Sequence, residues 1–83
     1  SPMKPAAMAR VHFENGDYDQ ALVYAKRAVN ASPRSARQYV MLGDCYVKQL
    51  RYDSARTAYR KGIDLGSKTA QTRLARLDAK LGN

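Results

Sequence analysis

Two side chains carry the only histidine and thiol chemistry available to this sequence: His12 and Cys45. A single cysteine excludes an internal disulfide, and with no sign of an oxidising compartment it points to a cytoplasmic setting. Gly43, Asp44 and Tyr46 beside it supply no cation to lower its pKa, so the expected role of Cys45 is a small packed filler. One histidine cannot form a histidine metal cluster within one chain, and His12 is expected in a helical packing slot. Gly43, Gly62 and Gly66 are too scattered to cradle a phosphate, and no nucleophile–base pair is apparent. The sequence therefore predicts no enzyme activity and no cofactor.

What remains is charge. Fifteen Lys and Arg oppose seven Asp and Glu, a net charge of +8. That balance favours acidic partners, whether protein, nucleic acid or anionic lipid. No run of about 20 apolar residues is present to span a bilayer. Ser1-Pro2 ahead of Met3 reads as the edge of a segment cut from a longer protein, and no signal peptide is apparent.

The elements that position these charges repeat. A shift of 34 residues lays Tyr18 on Tyr52, Asp19 on Asp53 and Ala21 on Ala55. Lys26 and Arg27 fall on Arg60 and Lys61, Val29 on Ile63 and Asn30 on Asp64. Each unit reads as two helices. Tyr39, Leu42, Gly43, Tyr46 and Val47 share one helical face, and Ala55, Ala58, Tyr59, Gly62 and Ile63 form the next. In the first unit Asn15-Gly16 supplies a left-handed stop, Asp17 or its neighbour a cap, and Ser32-Pro33 an end. Small residues at Ala21, Ala28, Ala55 and Gly62 allow close helix approach, and Tyr18, Tyr39, Tyr46, Tyr52 and Tyr59 fill the gaps. Five helices are expected, over about 4–14, 18–31, 35–48, 52–65 and 69–81: an all-α solenoid of two antiparallel helix pairs plus a C-terminal capping helix.

These residues resemble the tetratricopeptide repeat (TPR) family. The second unit has Tyr39 in the family's Trp slot, then Leu42-Gly43, Tyr46, Tyr52, Ala55, Tyr59 and Gly62. The first has Met8-Ala9, His12, Gly16-Asp17-Tyr18, Ala21, Ala28 and Pro33, with Pro5 at its helix start. The resemblance covers residues 2–69, with repeat one at about 2–35, repeat two at about 36–69, and a capping helix over about 69–81, in a single domain. Three departures stand out. Leu50-Arg51 replaces the family's Gly-Asp, so that turn is expected to be strained or differently shaped. Ser67 replaces the closing Pro. The last segment fits only with one residue inserted in the loop before it, for which Ser67 or Thr69 would be the cap. The cap's Arg73, Arg76 and Lys80 are then expected on a polar outer face.

The resemblance implies a protein-binding module that takes a peptide or helix on its concave side. Its groove slots fall on Arg10, Phe13, Arg37, Val40, Met41, Asp44, Val47 and Lys48, with Met3, Ala6, Ala7 and Glu14 nearby, and with Thr72, Ala75, Arg76 and Ala79 from the cap. Slots that hold a carboxylate-clamp Asn elsewhere in the family hold Arg10, Met41 and Asp44 here, and its first Lys slot holds Ala6, so a clamp for a C-terminal carboxylate is not expected. Instead Val40, Met41, Val47 and Phe13 would make an apolar floor edged by Arg37 and Lys48, unless Val40 and Met41 simply pack against the next helix. The implied role is an adaptor within a larger bacterial-type signalling, secretion or assembly protein. Lys26, Arg27, Arg56, Arg60 and Lys61 would form a basic stripe on the convex face, the alternative site for nucleic acid or anionic lipid. An uncovered N-terminal end around Met3, Met8 and Phe13 would offer a surface for self-association.

Overall fold

The computed structural model describes residues 2–82, and these form five α-helices in chain order. They are α1 (Pro5–Glu14), α2 (Tyr18–Ala31), α3 (Ala36–Lys48), α4 (Tyr52–Asp64) and α5 (Lys68–Lys80). Each lies within a residue or so of its expected span. No helix among the described residues is long and apolar enough to cross a membrane.

Consecutive helices pack against one another, giving a slab of 44 × 26 × 15 Å. The odd-numbered helices also touch: α1 meets α3 and α3 meets α5, while α2 and α4 stay apart. Unequal spacing of this kind bends the stack, concave along α1, α3 and α5. Alanine makes the approach possible. Ala9, Ala21, Ala25, Ala55 and Ala70 have no exposed surface, so the helix backbones come close where they cross. Gly62 serves the same purpose between α4 and α5, since a Cβ there would lie 2.9 Å from the Ala70 Cβ.

Three of the helices end identically. After α1, Gly16 N–H donates to Phe13 O (3.0 Å) and Asp17 N–H to His12 O (2.9 Å). Leu50 and Arg51 repeat the pair on Val47 and Tyr46, and Gly66 and Ser67 repeat it on Ile63 and Gly62. This double closure requires a left-handed residue. Gly16 and Gly66 meet it at φ 80° and 94°, and Leu50 is forced to φ 62°. The turn without glycine is thus strained rather than reshaped.

The start of α5 departs from expectation. The α4–α5 loop is residues 65–67, one shorter than the 32–35 loop between α2 and α3. Gly66 closes α4 and Ser67 caps α5 at once, its Oγ accepting from Ala70 N–H at 3.0 Å. No inserted residue is accommodated. Ser67 occupies the place of Ser35, 32 residues earlier, and the face of α5 is set by that spacing. Asp17 and Ser35 stand at N-cap positions, but neither side chain accepts a capping hydrogen bond.

Candidate functional site: a cationic concave depression

An open depression of about 920 Å³ runs along the concave side. Arg10 and Phe13 of α1 border it, as do Arg37, Val40, Met41, Asp44, Val47 and Lys48 of α3, so the structure brings all eight groove positions read from the sequence to one surface. The repeat explains this, because residues 34 apart occupy the same face of equivalent helices.

Depth separates them. Val40 and Met41 are 9% and 8% exposed, and Met41 belongs to the core cluster with Ala9, Ala21, Leu22, Ala25 and Cys45. The expected apolar floor is therefore mostly spent on helix packing. Phe13 is half-buried, its ring edge-on to Tyr18 at 5.3 Å. At the open N-terminal end Met3 is exposed and Met8 half-buried.

The far wall comes from α5, where Thr69, Arg73, Arg76, Leu77 and Lys80 line the depression. Of the cap positions expected there only Arg76 takes part; Thr72, Ala75 and Ala79 are exposed and outside it. The missed signal is the 32-residue spacing of Ser35 and Ser67, which carries Arg37, Met41, Asp44 and Lys48 onto Thr69, Arg73, Arg76 and Lys80. The three basic residues of α5 consequently face the groove instead of an outer capping surface.

Six cations, Arg10, Arg37, Lys48, Arg73, Arg76 and Lys80, thus line the depression against one carboxylate, Asp44. That carboxylate is already engaged. Tyr59, buried in α4, donates its hydroxyl to Asp44 Oδ1 at 2.6 Å, and Arg73 Nη1 pairs with Oδ2. Burial, then the hydrogen bond to Asp44, pushes the Tyr59 phenol well above its ordinary value. The bond to Asp44 likewise holds the Arg73 guanidinium above its own. None of the other five cations has a carboxylate within ion-pair distance among the described residues.

Gly43 keeps this network in place. A Cβ at position 43 would lie 2.5 Å from Tyr59 Cδ1, so only glycine lets the ring pass beneath α3 to reach Asp44. The neighbouring Cys45 is fully buried, and its thiol is pushed up to about 12 by burial and then by the charge on Asp44. It stays protonated at neutral pH and is no nucleophile.

The basic residues of the second helices divide differently. Lys26, Arg27, Arg60 and Lys61 are exposed. Arg56 is not part of a free stripe: its side chain is 15% exposed, with Nε on Asp78 Oδ1 of α5 (2.8 Å) and Nη1 on Asp53 Oδ1 (2.9 Å). The reason lies in the helix face, since Arg56 sits one residue after the buried Ala55 and looks toward α5. Its place is structural, a tie between α4 and α5.

Comparison with known proteins agrees with this architecture. Over 68 residues the chain is 37% identical to the protein bimA of Emericella nidulans, covering 82% of this chain. The chain spans 8% of that relative's length. The sequence profile of the tetratricopeptide repeat matches residues 6–70. With that profile covering most of its length and the helix pairs stacked as the repeat requires, the chain belongs to the tetratricopeptide repeat family.

Proposed function

We propose that the chain is a protein-binding module whose concave depression takes an acidic peptide or helix, as an adaptor portion of a larger protein. Repeats of this family are protein–protein interaction modules and not enzymes. The observation that carries the acidic preference is the lining of six cations around one carboxylate that is already bonded to Tyr59 and Arg73. With Val40 and Met41 buried, charge rather than an apolar floor selects the partner. Arg37 and Arg76, on facing helices and both exposed, are suited to bidentate capture of carboxylates.

The test is fluorescence anisotropy with a labelled Glu-rich peptide and its Gln counterpart, at low and high salt. Arg37→Glu with Arg76→Glu is expected to weaken the acidic peptide by about tenfold or more, while Lys26→Glu with Arg60→Glu leaves it nearly unchanged. Equal binding of the Gln peptide, or equal losses from both pairs of variants, would refute the assignment to the depression. A single-stranded RNA or anionic vesicles that outcompete the peptide, and do so through Lys26 and Arg60, would favour the convex alternative.

A further inference from the structure

The outer sides of the two repeats differ at Tyr24, whose place Ala58 takes, and at Pro5, whose place Tyr39 takes. In repeat one His12 of α1 and Tyr24 of α2 stack ring on ring, their centroids 5.5 Å apart and their planes within 10°. The Arg27 guanidinium lies 5.0 Å from the centre of the same Tyr24 ring. A shift of 34 residues puts Tyr46 where His12 stands, Lys61 where Arg27 stands, and Ala58 where Tyr24 stands. The register is maintained throughout, because α2 and α4 begin at Tyr18 and Tyr52, and α1 and α3 end at Glu14 and Lys48 through the same turn. Repeat two therefore keeps the lower ring and the cation and lacks the ring between them.

A cleft of about 400 Å³ is left there, bordered by Tyr39, Leu42, Tyr46, Ala58 and Lys61 with no carboxylate on its lining. Its walls are held. Tyr39 donates its hydroxyl to Pro33 O at 3.0 Å, which anchors that ring at the end of the cleft. The Arg51 guanidinium rests 4.8 Å from the Tyr46 ring centre and borders the neighbouring turn rather than the cleft. Because α2 and α4 do not touch, the outer side of α3 is left accessible between them.

We propose that this cleft docks an aromatic side chain of a partner protein, a Tyr or Phe flanked by carboxylates, whose ring takes the place that Tyr24 fills in repeat one. The occupant is specified from within the molecule. Tyr24 shows that a phenol ring fits between the lower ring and the cation of a repeat, and stacking on Tyr46 with Lys61 above supplies the same offset-stacked and cation–π contacts. The flanking carboxylates follow from charge: Lys61 lines the cleft, no carboxylate does, and Arg60, its neighbour in the sequence, is exposed as well. This site lies on different residues from the concave depression and does not depend on the reading given to it.

The test uses the whole chain, isotope-labelled, and the peptide acetyl-Glu-Tyr-Glu-amide against its Leu counterpart. The Tyr peptide is expected to shift the Ala58 methyl and Tyr46 ring resonances saturably upfield, and the Leu peptide to bind about fivefold more weakly. Lys61→Glu, at an exposed position, is expected to weaken the Tyr peptide severalfold, and Ala58→Tyr to abolish the Tyr46 ring shifts by filling the cleft. Equal binding of the Leu peptide, or shifts confined to Arg37 and Arg76, would overturn the proposal. So would a sedimentation mass that rises with concentration and is lost in Lys61→Glu, which assigns the cleft to a second copy. Displacement of the peptide by a single-stranded oligonucleotide at lower concentration would overturn it too, in favour of a nucleobase.

Discussion

Between α1, α2 and α3 the buried cluster consists of small and aliphatic groups, Ala9, Ala21, Leu22, Ala25, Met41 and Cys45, with no charged member. Between α3, α4 and α5 it shrinks to Ala55, Tyr59 and Leu77, with Tyr46, Val47, Tyr52 and Leu74 half-buried around them. There the apolar contacts are supplemented by Tyr59 and Arg73 on Asp44, and by Arg56 on Asp78. The difference follows from what each end must do. The first half is joined chiefly by packing, with one long-range side-chain hydrogen bond from Gln49 Nε2 to Asp19 Oδ1 (2.8 Å), and Arg27 and Lys48 lie over tyrosine rings rather than on carboxylates. The second must attach a helix whose only buried side chains are Ala70 and Leu77, and it does so with charged hydrogen bonds. Because Asp44 and Arg73 also line the depression, the attachment of α5 and the charge of the groove depend on the same residues.

The sharpest test of that contrast is Leu22→Ala. Leu22 is buried in the apolar cluster, and its truncation should cost about 2–5 kcal/mol. In a domain of this size each kcal/mol moves Tm by roughly 4–8 °C, so thermal denaturation by circular dichroism will register it. Cys45 offers a second readout, because it lies in the same cluster and its thiol stays protonated until far above neutral pH. Labelling at neutral pH should therefore require opening of the cluster, and Leu22→Ala should accelerate it. The folded pKa is raised, so this thiol favours folding below its ordinary value of 9.0 and loses that contribution as pH climbs toward 12. Rapid labelling of the native wild type at neutral pH would contradict the packing described.

Gly43→Ala addresses the polar half. The added methyl would collide with the Tyr59 ring, which is buried and has no room to swing away, and the cost should be about 1–3 kcal/mol. Displacing Tyr59 also takes its hydroxyl off Asp44. Amide exchange should then accelerate in α4 and α5 more than in α1 and α2. Uniform acceleration would show that the two halves unfold together.

Asp44→Asn is gentler, at about 1–2 kcal/mol, since Tyr59 can still donate to the amide oxygen while Arg73 loses its counter-charge. Stability should fall, yet the depression gains one net positive charge, so the Glu-rich peptide should bind at least as tightly as to wild type. Weaker peptide binding would mean that placing α5 matters more to the groove than its total charge.

Much of this was legible in the residues. The 34-residue shift, the turns at Gly16 and Ser32-Pro33, and the small residues at helix crossings set four helices and the face that α1 and α3 turn inward. The register of α5 was not, because Gly66-Ser67 suits either a longer loop or a turn that ends one helix and caps the next. Only the second is realised, and it swings Arg73, Arg76 and Lys80 into the groove. Depth was hidden as well: periodicity puts Val40 and Met41 on the inner face but cannot say that α1 and α4 close over them. The Arg56–Asp78 pair joins residues 22 apart across that same misread register. The open cleft over Tyr46 needed the stacked rings of repeat one before the exchange of Tyr24 for Ala58 acquired meaning.

The smallest effect tests the turns, where the halves are built alike but from different residues. Leu50 performs at φ 62° the role that Gly16 performs at φ 80°, with the same pair of backbone hydrogen bonds. A side chain in that conformation costs about 1–2 kcal/mol, and at 70% exposure Leu50 recovers little of it by burial. Leu50→Gly relieves the strain but gives the unfolded chain more freedom, which offsets part of the gain. The net expectation is a stabilisation of about 1 kcal/mol, read as a rise in Tm with unchanged peptide binding in the depression. Arg51 should keep its place over the Tyr46 ring, because the turn's two hydrogen bonds fix its backbone whichever residue precedes it. A fall in Tm would mean that the Leu50 side chain makes contacts worth more than the strain it imposes.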